Sequence, residues 1–479
     1  MIKNYLKTAW RSLLCNKVFS LINIVGISIG LTCCLLLTLY IKYQVSFDKF
    51  NSKADRIVRV IMQYNEGGEV DKGNFTSAYV LPSFKSKFPE IESGVRMLPA
   101  TNVVKYGDKI FNQKNFLYAD PTLFKIFDFK LLRGNPNEVL KNPKTLVLTQ
   151  TTSRKYFGDE DPIGKTLMIG DKQIPYTVSG IAADCPPNSQ IQFSVVASFA
   201  SAVPEIENTY FNANYTTYFL LKDKKSIASF QQKIAPFMKQ EMKGTGATIT
   251  YDLEPLTTIH LHSRYDAMVA NLDISYIYII GGIALLILAI ACFTYINMST
   301  ASASGRAKEV GVRKVNGAYR SQIFWQFISE SFILTLISVL LGYIAAVFLL
   351  PSFNVLAGTS FTASNIFQPA VLIVSLALLF IIAFVAGSYP ALLLSGLKEI
   401  VVLKGSFKNS SSGILLRKTL TVFQFSISVF LIIATIVMLN QLHFIQNKKL
   451  GYNRDHIIVI GQITQNTFKR MDMVKAETT

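Results

Sequence analysis

The chain contains apolar runs that lack charged side chains and are long enough to cross a lipid bilayer. The first, residues 18–41, holds 24 residues, and a helix rising ~1.5 Å per residue crosses ~30 Å of hydrocarbon over that length. Residues 274–305 are also free of charge, and residues 321–397 contain one charged side chain, Glu330. The pattern predicts five spans, over residues 18–41, 275–298, 322–350, 369–394 and 419–442.

A cleaved signal peptide is the alternative explanation for the first run. Its apolar core would be ~7–15 residues long and would lead into a small-residue cleavage site. The run in this chain is longer and ends at Tyr40, Lys42 and Tyr43. These residues favour an uncleaved span.

Composition supports a membrane protein, because half of the residues are hydrophobic and only 16% are charged. The net charge of +18 is typical of nucleic-acid-binding proteins as well. However, most of the excess lies in three short segments that flank the apolar runs, residues 1–18, 298–322 and 395–419. Such clustering indicates membrane topology, and we expect contact with membrane lipid and no nucleic-acid partner.

The positive-inside rule orients the chain, since short cytoplasmic loops carry the excess of Lys and Arg. It predicts that the three basic segments face the cytoplasm, with residues 1–17 as a basic cytoplasmic N-terminal helix. Residues 43–273 then lie outside, and their β-rich runs and turn signals indicate a mixed α/β domain. The predicted fold is an α-helical transmembrane bundle of about five spans, with this large extracytoplasmic domain inserted between spans one and two.

The end of the chain has the same order of features as its beginning. A basic segment, an apolar span and an Asp-led apolar strand run from Arg11 to Val58 and again from Arg417 to Ile458. This order predicts an internal repeat, in which residues 443–479 start a second extracytoplasmic domain. The alternative is that any span entering an extramembrane domain has this order.

Three segments resemble nucleotide-binding or metal-binding motifs, but each departs from the pattern that its chemistry needs. Residues 157–166 resemble a phosphate-binding loop, but the first glycine is one position early and Pro162 with three acids occupies the loop. Leu394-Ser395-Gly396 lacks the second glycine of an ABC signature, and His260 with His262 lacks further ligands for a metal. We therefore expect a chain that is not an enzyme and binds no cofactor or metal directly.

The segment 299–320 predicts a short basic helix that continues the second span. Ser299 is a candidate N-cap, Glu309 and Arg313 have the i,i+4 spacing of an ion pair, and Asn316-Gly317 is a helix stop. One interpretation is a helix that lies on anionic lipid.

A second interpretation comes from resemblance. The segment resembles the coupling segment of MacB/FtsX-type ABC permeases, through Arg306, Lys308, Glu309, Val310, Gly311, Arg313, Lys314, Gly317 and Ala318. Further similar motifs are Phe124–Phe129 with Gly134, Tyr156–Gly158, Pro162–Lys165, Tyr389-Pro390-Ala391, Arg417-Lys418 and Phe423-Gln424-Phe425. They extend over nearly the whole chain.

The resemblance implies a MacB-like periplasmic core domain over residues 43–273 and an FtsX-like permease domain over residues 275–397. It implies a multi-pass protein of the bacterial inner membrane that moves or extracts a peptide, lipoprotein or drug-like cargo by mechanotransmission. Members of the tandem type carry four spans and a periplasmic domain twice, so this chain resembles such a permease truncated after its fifth span.

The implied partners are a cytoplasmic ABC ATPase dimer, a second permease unit (homodimer or tandem half) and an envelope or outer-membrane protein. ATP would be bound by the ATPase and not by this chain. The residues expected to contact the ATPase are Arg306, Lys308, Glu309, Arg313 and Lys314. Two alternatives of another class are a non-transporting envelope sensor or scaffold, and a regulator of an extracytoplasmic hydrolase.

Three features within the spans are candidates for packing or function. Gly26 and Gly30 form a small-xxx-small step, which suits contact with another span of the chain or with a second copy. Glu330 is an expensive charge in the membrane, for which we expect pairing with the basic inner rim, with a substrate or proton path as the alternative. Pro390 is expected to kink the end of the fourth span.

Overall fold

The computed structural model describes residues 8–448 apart from residues 9, 12, 15–16, 67–68, 204, 207 and 397–410. In chain order its elements are α1 (Lys17–Val45), a 3-10 turn (Ala54–Arg56), β1 (Ile57–Glu66), β2 (Glu69–Gly73), β3 (Thr76–Ser77), α2 (Val80–Lys87), β4 (Ile91–Tyr106), β5 (Lys109–Ala119), α3 (Leu123–Ile126), β6 (Leu131–Arg133), β7 (Thr145–Thr149), α4 (Gln150–Phe157), β8 (Thr166–Ile169), β9 (Ile174–Ala182), β10 (Val195–Ser198), α5 (Phe199–Ala202), β11 (Ala213–Leu221), α6 (Ser226–Glu241), β12 (Thr248–Pro255), α7 (Leu256–His262), α8 (Ile274–Val315), α9 (Arg320–Ala357), α10 (Ala363–Ile366), α11 (Pro369–Ser395) and α12 (Ser411–Asn447).

The described residues form two compact units. One is helical and comprises the residues up to Lys42 together with those from Ser275 onward. The other, Tyr43–Ile274, contains all twelve described strands. Five described helices, α1, α8, α9, α11 and α12, are long and apolar enough to cross a membrane. The predicted fold class, a bundle of about five spans with a mixed α/β domain after the first, is confirmed.

The bounds of the third span were predicted wrongly. The sequence places its end at residue 350 and a loop from Pro351, whereas α9 continues through Pro351 to Ala357. Proline removes one backbone donor and crowds the carbonyl four residues earlier, which can kink a helix without ending it. The actual stop is Gly358, a C-terminal residue in the left-handed region with φ of 62°. The Asn354 side chain then fixes the following loop by bonding the backbone N–H and C=O of Phe361 at 2.9 and 2.8 Å.

The second span and the predicted basic helix are one uninterrupted helix, α8. Ser299 therefore lies in mid-helix, and its assignment as an N-cap is wrong, because the backbone N–H groups after it already have helical partners. The helix does end beside the predicted stop, where Gly317 has φ of 89° and Ala318 donates to the Arg313 carbonyl at 3.0 Å.

The first and fifth spans are longer than predicted, as α1 and α12 extend beyond 18–41 and 419–442 at both ends. The second domain predicted from residue 443 begins within the last turns of α12, which runs to Asn447. The rest of that predicted domain, residues 449–479, lies outside the described residues. Of the predicted helix over residues 1–17, those described between Thr8 and Leu14 are helical.

Spans one and three pack through small and hydroxylated side chains. Ser28 Oγ donates to the carbonyl of Ser338 at 3.1 Å, and Thr32 Oγ1 donates to that of Gly342 at 3.2 Å. A Cβ at Gly342 would already touch Leu31 and the Ser28 carbonyl at 3.4 Å. Close backbone approach of this kind replaces the hydrophobic effect, which does not drive helices together within lipid.

Span three also lies against span four. A Cβ at Gly387 in α11 would lie 2.5 Å from Ser331 Oγ of α9, so only glycine fits there. Tyr343 of α9 and Ser375 of α11 share a buried hydroxyl–hydroxyl bond of 2.7 Å. Span three is thus bonded to spans one and four at several depths.

The α/β unit is built on one twelve-stranded sheet. Its main path runs in the order β12-β1-β11-β4-β5-β10-β7-β9-β6, with β2, β3 and β8 paired beside it. Most pairs are antiparallel, whereas β10 with β5 and β7 with β9 are parallel. A cluster of buried aromatic and aliphatic residues lies on one side, where α2 and α6 cover the sheet through Phe84 and Phe230. Another contains Phe127 and Leu256, which draws the turn after α3 and the start of α7 into the core.

We expect Gly387→Ala to destabilise the helical unit, because the added methyl group overlaps Ser331. Overpacking of this kind costs about 1–3 kcal/mol. Unfolding of the full chain in detergent micelles, followed by the fluorescence of its two tryptophans, Trp10 and Trp325, measures the loss. Gly26→Ala is the matched control, since a Cβ there meets no neighbouring atom within 4 Å. Equal stability of the two variants would contradict the close approach of α9 and α11.

Candidate functional site

The charged end of α8 is tied to the third span by a buried ion pair. Arg306 donates from Nη1 to Glu330 Oε2 at 2.6 Å and from Nη2 to Oε1 at 2.8 Å. The two side chains are only 19% and 10% exposed, and Gln326 adds a bond of 3.2 Å to Glu330. A bidentate guanidinium–carboxylate pair fixes both distance and orientation, so it holds α8 and α9 in one register.

A second contact reinforces this join. Arg313, two helical turns further along α8, donates from Nη1 to Gln326 Oε1 at 2.5 Å. The same guanidinium pairs with Glu309 at 2.8 Å, at the i,i+4 spacing seen in the sequence. Arg306 and Arg313 therefore both face α9, and Gln326 bonds to both ends of the join.

Deeper in the bundle, polar side chains continue from the ion pair. Tyr295 of α8 shares a bond of 2.6 Å with Ser331 of α9. A small cavity lined partly by these two residues, Arg306, Glu330 and Pro390 lies beside the pair. Its volume of about 30 Å³ accepts roughly one or two water molecules and no larger cargo.

An exposed stripe follows the outward face of the same segment. Glu309, Val312 and Val315 are spaced by three residues and are exposed, with Val312 and Val315 at 53% and 62%. Tyr319, just before α9, is 73% exposed. We call Glu309, Val312, Val315 and Tyr319 the tip stripe. Sequence reasoning looked for charges and missed its three apolar members, although apolar residues at helical spacing in a charged segment are a detectable signal.

The other predicted site residues lie apart from this stripe. Lys314 is half-buried, and the side chain of Lys308 lies outside those described. Gly30 faces α8, where its Cβ would meet that of Ala291 at 3.0 Å, whereas Gly26 meets nothing within 4 Å. Pro390 is buried inside α11, which continues past it to Ser395.

The segment that resembles a phosphate-binding loop has the wrong connectivity for nucleotide. It follows helix α4 and precedes strand β8, whereas such a loop runs from a strand into a helix whose N-terminus holds phosphate. Lys165 is paired with Glu160, and that hydrogen bond raises the pKa of Lys165. The ammonium group of Lys165 thus forms an ion pair within its own loop.

The two histidines of the α/β unit do not form a metal site. His260 is buried and bonded through both ring nitrogens to glutamine side chains, and burial lowers its pKa to about 4. His262 is exposed. Within the described residues, no group of three His, Cys, Asp or Glu side chains could hold a metal ion.

The fold and this site define a multi-span membrane protein. The charged end of its helix α8 is ion-paired to α9, and a large α/β domain follows its first span. Comparison with known proteins identifies both parts. Residues 20–237 match the model of the MacB-like periplasmic core domain, and residues 281–398 match that of the FtsX-like permease C-terminal domain. The chain belongs to the MacB/FtsX-type family of ABC transporter permeases, which is the family that its sequence motifs resemble.

Individual relatives are distant. The ABC transporter permease YvrN of Bacillus subtilis is 21% identical over 427 residues, which cover 84% of this chain and 99% of YvrN. The macrolide export ATP-binding/permease protein MacB of Chlorobium luteolum is 23% identical over 74% of this chain, which spans about half (53%) of that protein. The crystal structure of the periplasmic region of MacB from Actinobacillus actinomycetemcomitans matches 40% of this chain and 87% of its own, at 16% identity and a TM-score of 0.29.

We expect removal of either partner of the Arg306–Glu330 pair to destabilise the bundle strongly. Glu330→Met or Arg306→Met removes the bidentate partner of a buried charge, and breaking a buried pair costs about 3–5 kcal/mol, whereas the double substitution removes both charges and costs much less. Unfolding of the full chain in micelles, arranged as a double-mutant cycle, measures the coupling. Glu309→Gln is the control on the same helix, because its half-exposed pairs with Arg313 and, at 4.0 Å, with Arg306 are each worth about 1 kcal/mol or less. Additive single effects would show that the two side chains do not interact.

Proposed function

We propose that this chain is the permease subunit of an ABC transporter in the bacterial inner membrane. A separate cytoplasmic ATPase hydrolyses ATP, and the permease converts the resulting motion into a conformational change of its periplasmic domain. The cargo class is a peptide, a lipoprotein or a drug-like molecule that is extracted or moved outside the membrane bilayer. The observation that carries the proposal is the continuous helix α8 with its ion pair to α9.

The length and continuity of α8 support mechanical transmission. Its 42 residues correspond to ~63 Å at the rise of an α-helix, more than twice the hydrocarbon thickness of a bilayer. A helix without a break between the membrane span and the charged segment transmits displacement along its axis. A hinge at Ser299 would have dissipated that displacement.

The buried ion pair supports transmission to the rest of the bundle. Because Arg306 and Glu330 join α8 to α9, a displacement of the charged segment moves two spans together. Span three is in turn bonded to spans one and four. In this proposal Arg306 and Arg313 position the segment, and they differ in role from residues that contact the ATPase.

The tip stripe is the surface we assign to the ATPase. Three apolar side chains, Val312, Val315 and Tyr319, are more than half exposed there, and Glu309 adds a charge. Apolar and aromatic side chains at the centre of a patch and charges at its rim are the composition of protein interfaces. Lys314, which is half-buried, and Lys308 remain candidate ATPase contacts on the basis of the sequence.

ATP is bound by a partner protein and not by this chain. The MacB relative carries an ATP-binding part in its name, whereas the YvrN relative is named as a permease and matches this chain over nearly its full length. Two permease units around an ATPase pair would complete the assembly, as a homodimer or as tandem halves. An envelope or outer-membrane protein is the further partner that the family suggests.

We expect Glu309→Lys combined with Arg313→Glu to abolish association with the ATPase while leaving membrane insertion intact. The exchange keeps an ion pair within the helix but inverts the charge on the tip stripe and removes the Arg313–Gln326 bond. Val315→Asp, which leaves both bonds of Arg313 in place, should weaken association by at least tenfold. Binding of a purified ABC ATPase encoded beside the permease, measured on nanodiscs, checks both.

The matched control is Glu138→Lys combined with Lys141→Glu, a somewhat more exposed pair at i,i+3 in the α/β unit. We expect full ATPase binding for this variant. Unchanged binding of both tip variants would remove the tip stripe from its assigned role. Cargo extraction in proteoliposomes separates transport from a sensor or scaffold function, because a sensor would stimulate ATP hydrolysis without releasing cargo.

A further inference from the structure

The α/β unit contains a buried polar cluster centred on His260. It comprises Gln44, Asp48, Gln190 and His260, with exposed fractions of 8%, 1%, 1% and 5%. We call it the His260 cluster. Gln44 is in the last turn of α1 and His260 is in α7, which precedes α8 in the chain. The cluster therefore joins the segment that leaves the first span to the segment that leads into the second.

His260 is the centre of this join. Its Nε2–H donates to Gln44 Oε1 at 2.6 Å, and its Nδ1 accepts from Gln190 Nε2 at 2.9 Å. The ring also stacks on Phe47, with centroids 3.5 Å apart and planes within 4°. A carbonyl on one side and an amide N–H on the other require the neutral imidazole with its proton on Nε2.

Asp48 anchors the same outgoing segment to a neighbouring loop. Its Oδ1 accepts from Ser189 Oγ at 3.0 Å and from the Gln190 backbone N–H at 3.1 Å, and its own N–H donates to the Asn188 carbonyl at 2.9 Å. Asp48 has φ of 56°, a left-handed conformation that costs free energy in a residue other than glycine. These bonds compensate for that conformation.

The returning segment is held by the same residues. Gln190 donates from Nε2 to Asn271 Oδ1 at 3.1 Å as well as to His260. The backbone N–H of Leu272 donates to the His260 carbonyl at 2.9 Å. Segments 43–48 and 260–272 are thus both bonded to the loop that contains Gln190. His260, at the start of the second segment, also bonds directly to Gln44 in the first.

We propose that Asp48 and His260 are positioning residues that make segments 43–48 and 260–272 move as one body. Both segments lead to membrane helices, so displacement of either span would reach the α/β core through the same join. The role of this coupling in transmitting motion rests on the proposed function. The coupling of segments 43–48 and 260–272 itself can be tested on the permease alone.

The two titratable groups of the cluster respond to acid in opposite ways. Burial lowers the pKa of His260 to about 4 from 6.5, so its stabilising contribution is complete above pH 6.5 and is lost as pH falls towards 4. Burial raises the pKa of Asp48 to about 6 from 3.8, so its unfavourable contribution is complete above pH 6 and is relieved as pH falls towards 3.8. The opposing slopes cancel between about pH 4 and 6.

Other titratable groups near the cluster are accounted for. Tyr218 is close enough to Asp48 for the carboxylate to contribute to its raised pKa of about 12, for which burial is the main cause. Arg59 and Glu254, which also act on Tyr218, pair with each other at 2.6 Å. Their opposite charges compensate, and the acid response is assigned to Asp48 and His260.

Hydrogen–deuterium exchange on the full chain in nanodiscs tests the join, with protection factors corrected for intrinsic exchange at each pH. His260→Leu removes both ring hydrogen bonds and keeps an apolar side chain. We expect protection of segments 43–48 and 260–272 to fall together, by roughly ten- to a hundredfold, because Gln44 and Gln190 lose a buried partner. His260→Gln supplies a donor and an acceptor, so it should retain most of the protection at pH 7.

The matched control is His262→Gln, which replaces an exposed histidine two residues away. Its protection factors should equal those of the wild type in both segments. Loss of protection confined to segment 260–272 in His260→Leu would overturn the proposal, because the two segments would then open independently. Equal loss in His262→Gln would overturn it as well.

The pH profile separates a positioning role from a merely structural one. We expect wild-type protection to be flat between pH 4 and 6, protection in Asp48→Asn to fall towards pH 4, and protection in His260→Gln to rise. Asparagine tolerates the left-handed conformation of Asp48, so its variant should fold. Parallel profiles for the three proteins would overturn the assignment. All of these readings are independent of ATPase binding, so they stand or fall separately from the proposed function.

Discussion

A charge within reach of the bilayer interior must be paired, and the Arg306–Glu330 pair meets this need in the described part of the helical unit. Glu330 lies in a span that otherwise contains no charged side chain from residue 321 to 350, and an isolated carboxylate there would cost several kcal/mol. Arg306 supplies the counter-charge from another helix, and a pair of this geometry permits only one register. The register of α8 against α9 then decides which residues remain exposed, namely the tip stripe.

The same constraint explains why so many bundle contacts involve small or hydroxylated residues. Lipid chains solvate leucine as well as another helix does, so spans associate through close backbone approach and hydrogen bonds. Ser28 and Thr32 donate to backbone carbonyls of α9, and Gly387 lets Ser331 approach α11. Each contact is individually weak, but together they link span three to its neighbours. A displacement of α8, which ends at Val315, can reach the other spans only because span three is bonded to them in this way.

Much of this architecture could be predicted from sequence because the membrane imposes strong, local rules. Charge-free runs and flanking basic residues predicted five spans, and the β-rich runs and turn signals of residues 43–273 predicted a mixed α/β domain. Helix ends were less predictable, since Pro351 suggested a stop that Gly358 provides. The pairing of Arg306 with Glu330 could not be predicted from local sequence patterns either. A sequence shows that Glu330 needs a partner, but only the register of two helices decides which of several nearby arginines meets it.

The α/β unit restricts how a partner can approach it. Strand β12 is at one edge of the sheet, where an unpaired strand invites another chain to add to it. Here the Gln231 side chain of α6 takes the place of such a chain, accepting from the Leu253 N–H at 2.6 Å and donating to the Tyr251 carbonyl at 3.1 Å. The opposite edge, β6, has only three residues. The free backbone of both terminal strands is thereby reduced, which lowers the tendency of another chain to add to either end of the main strand path.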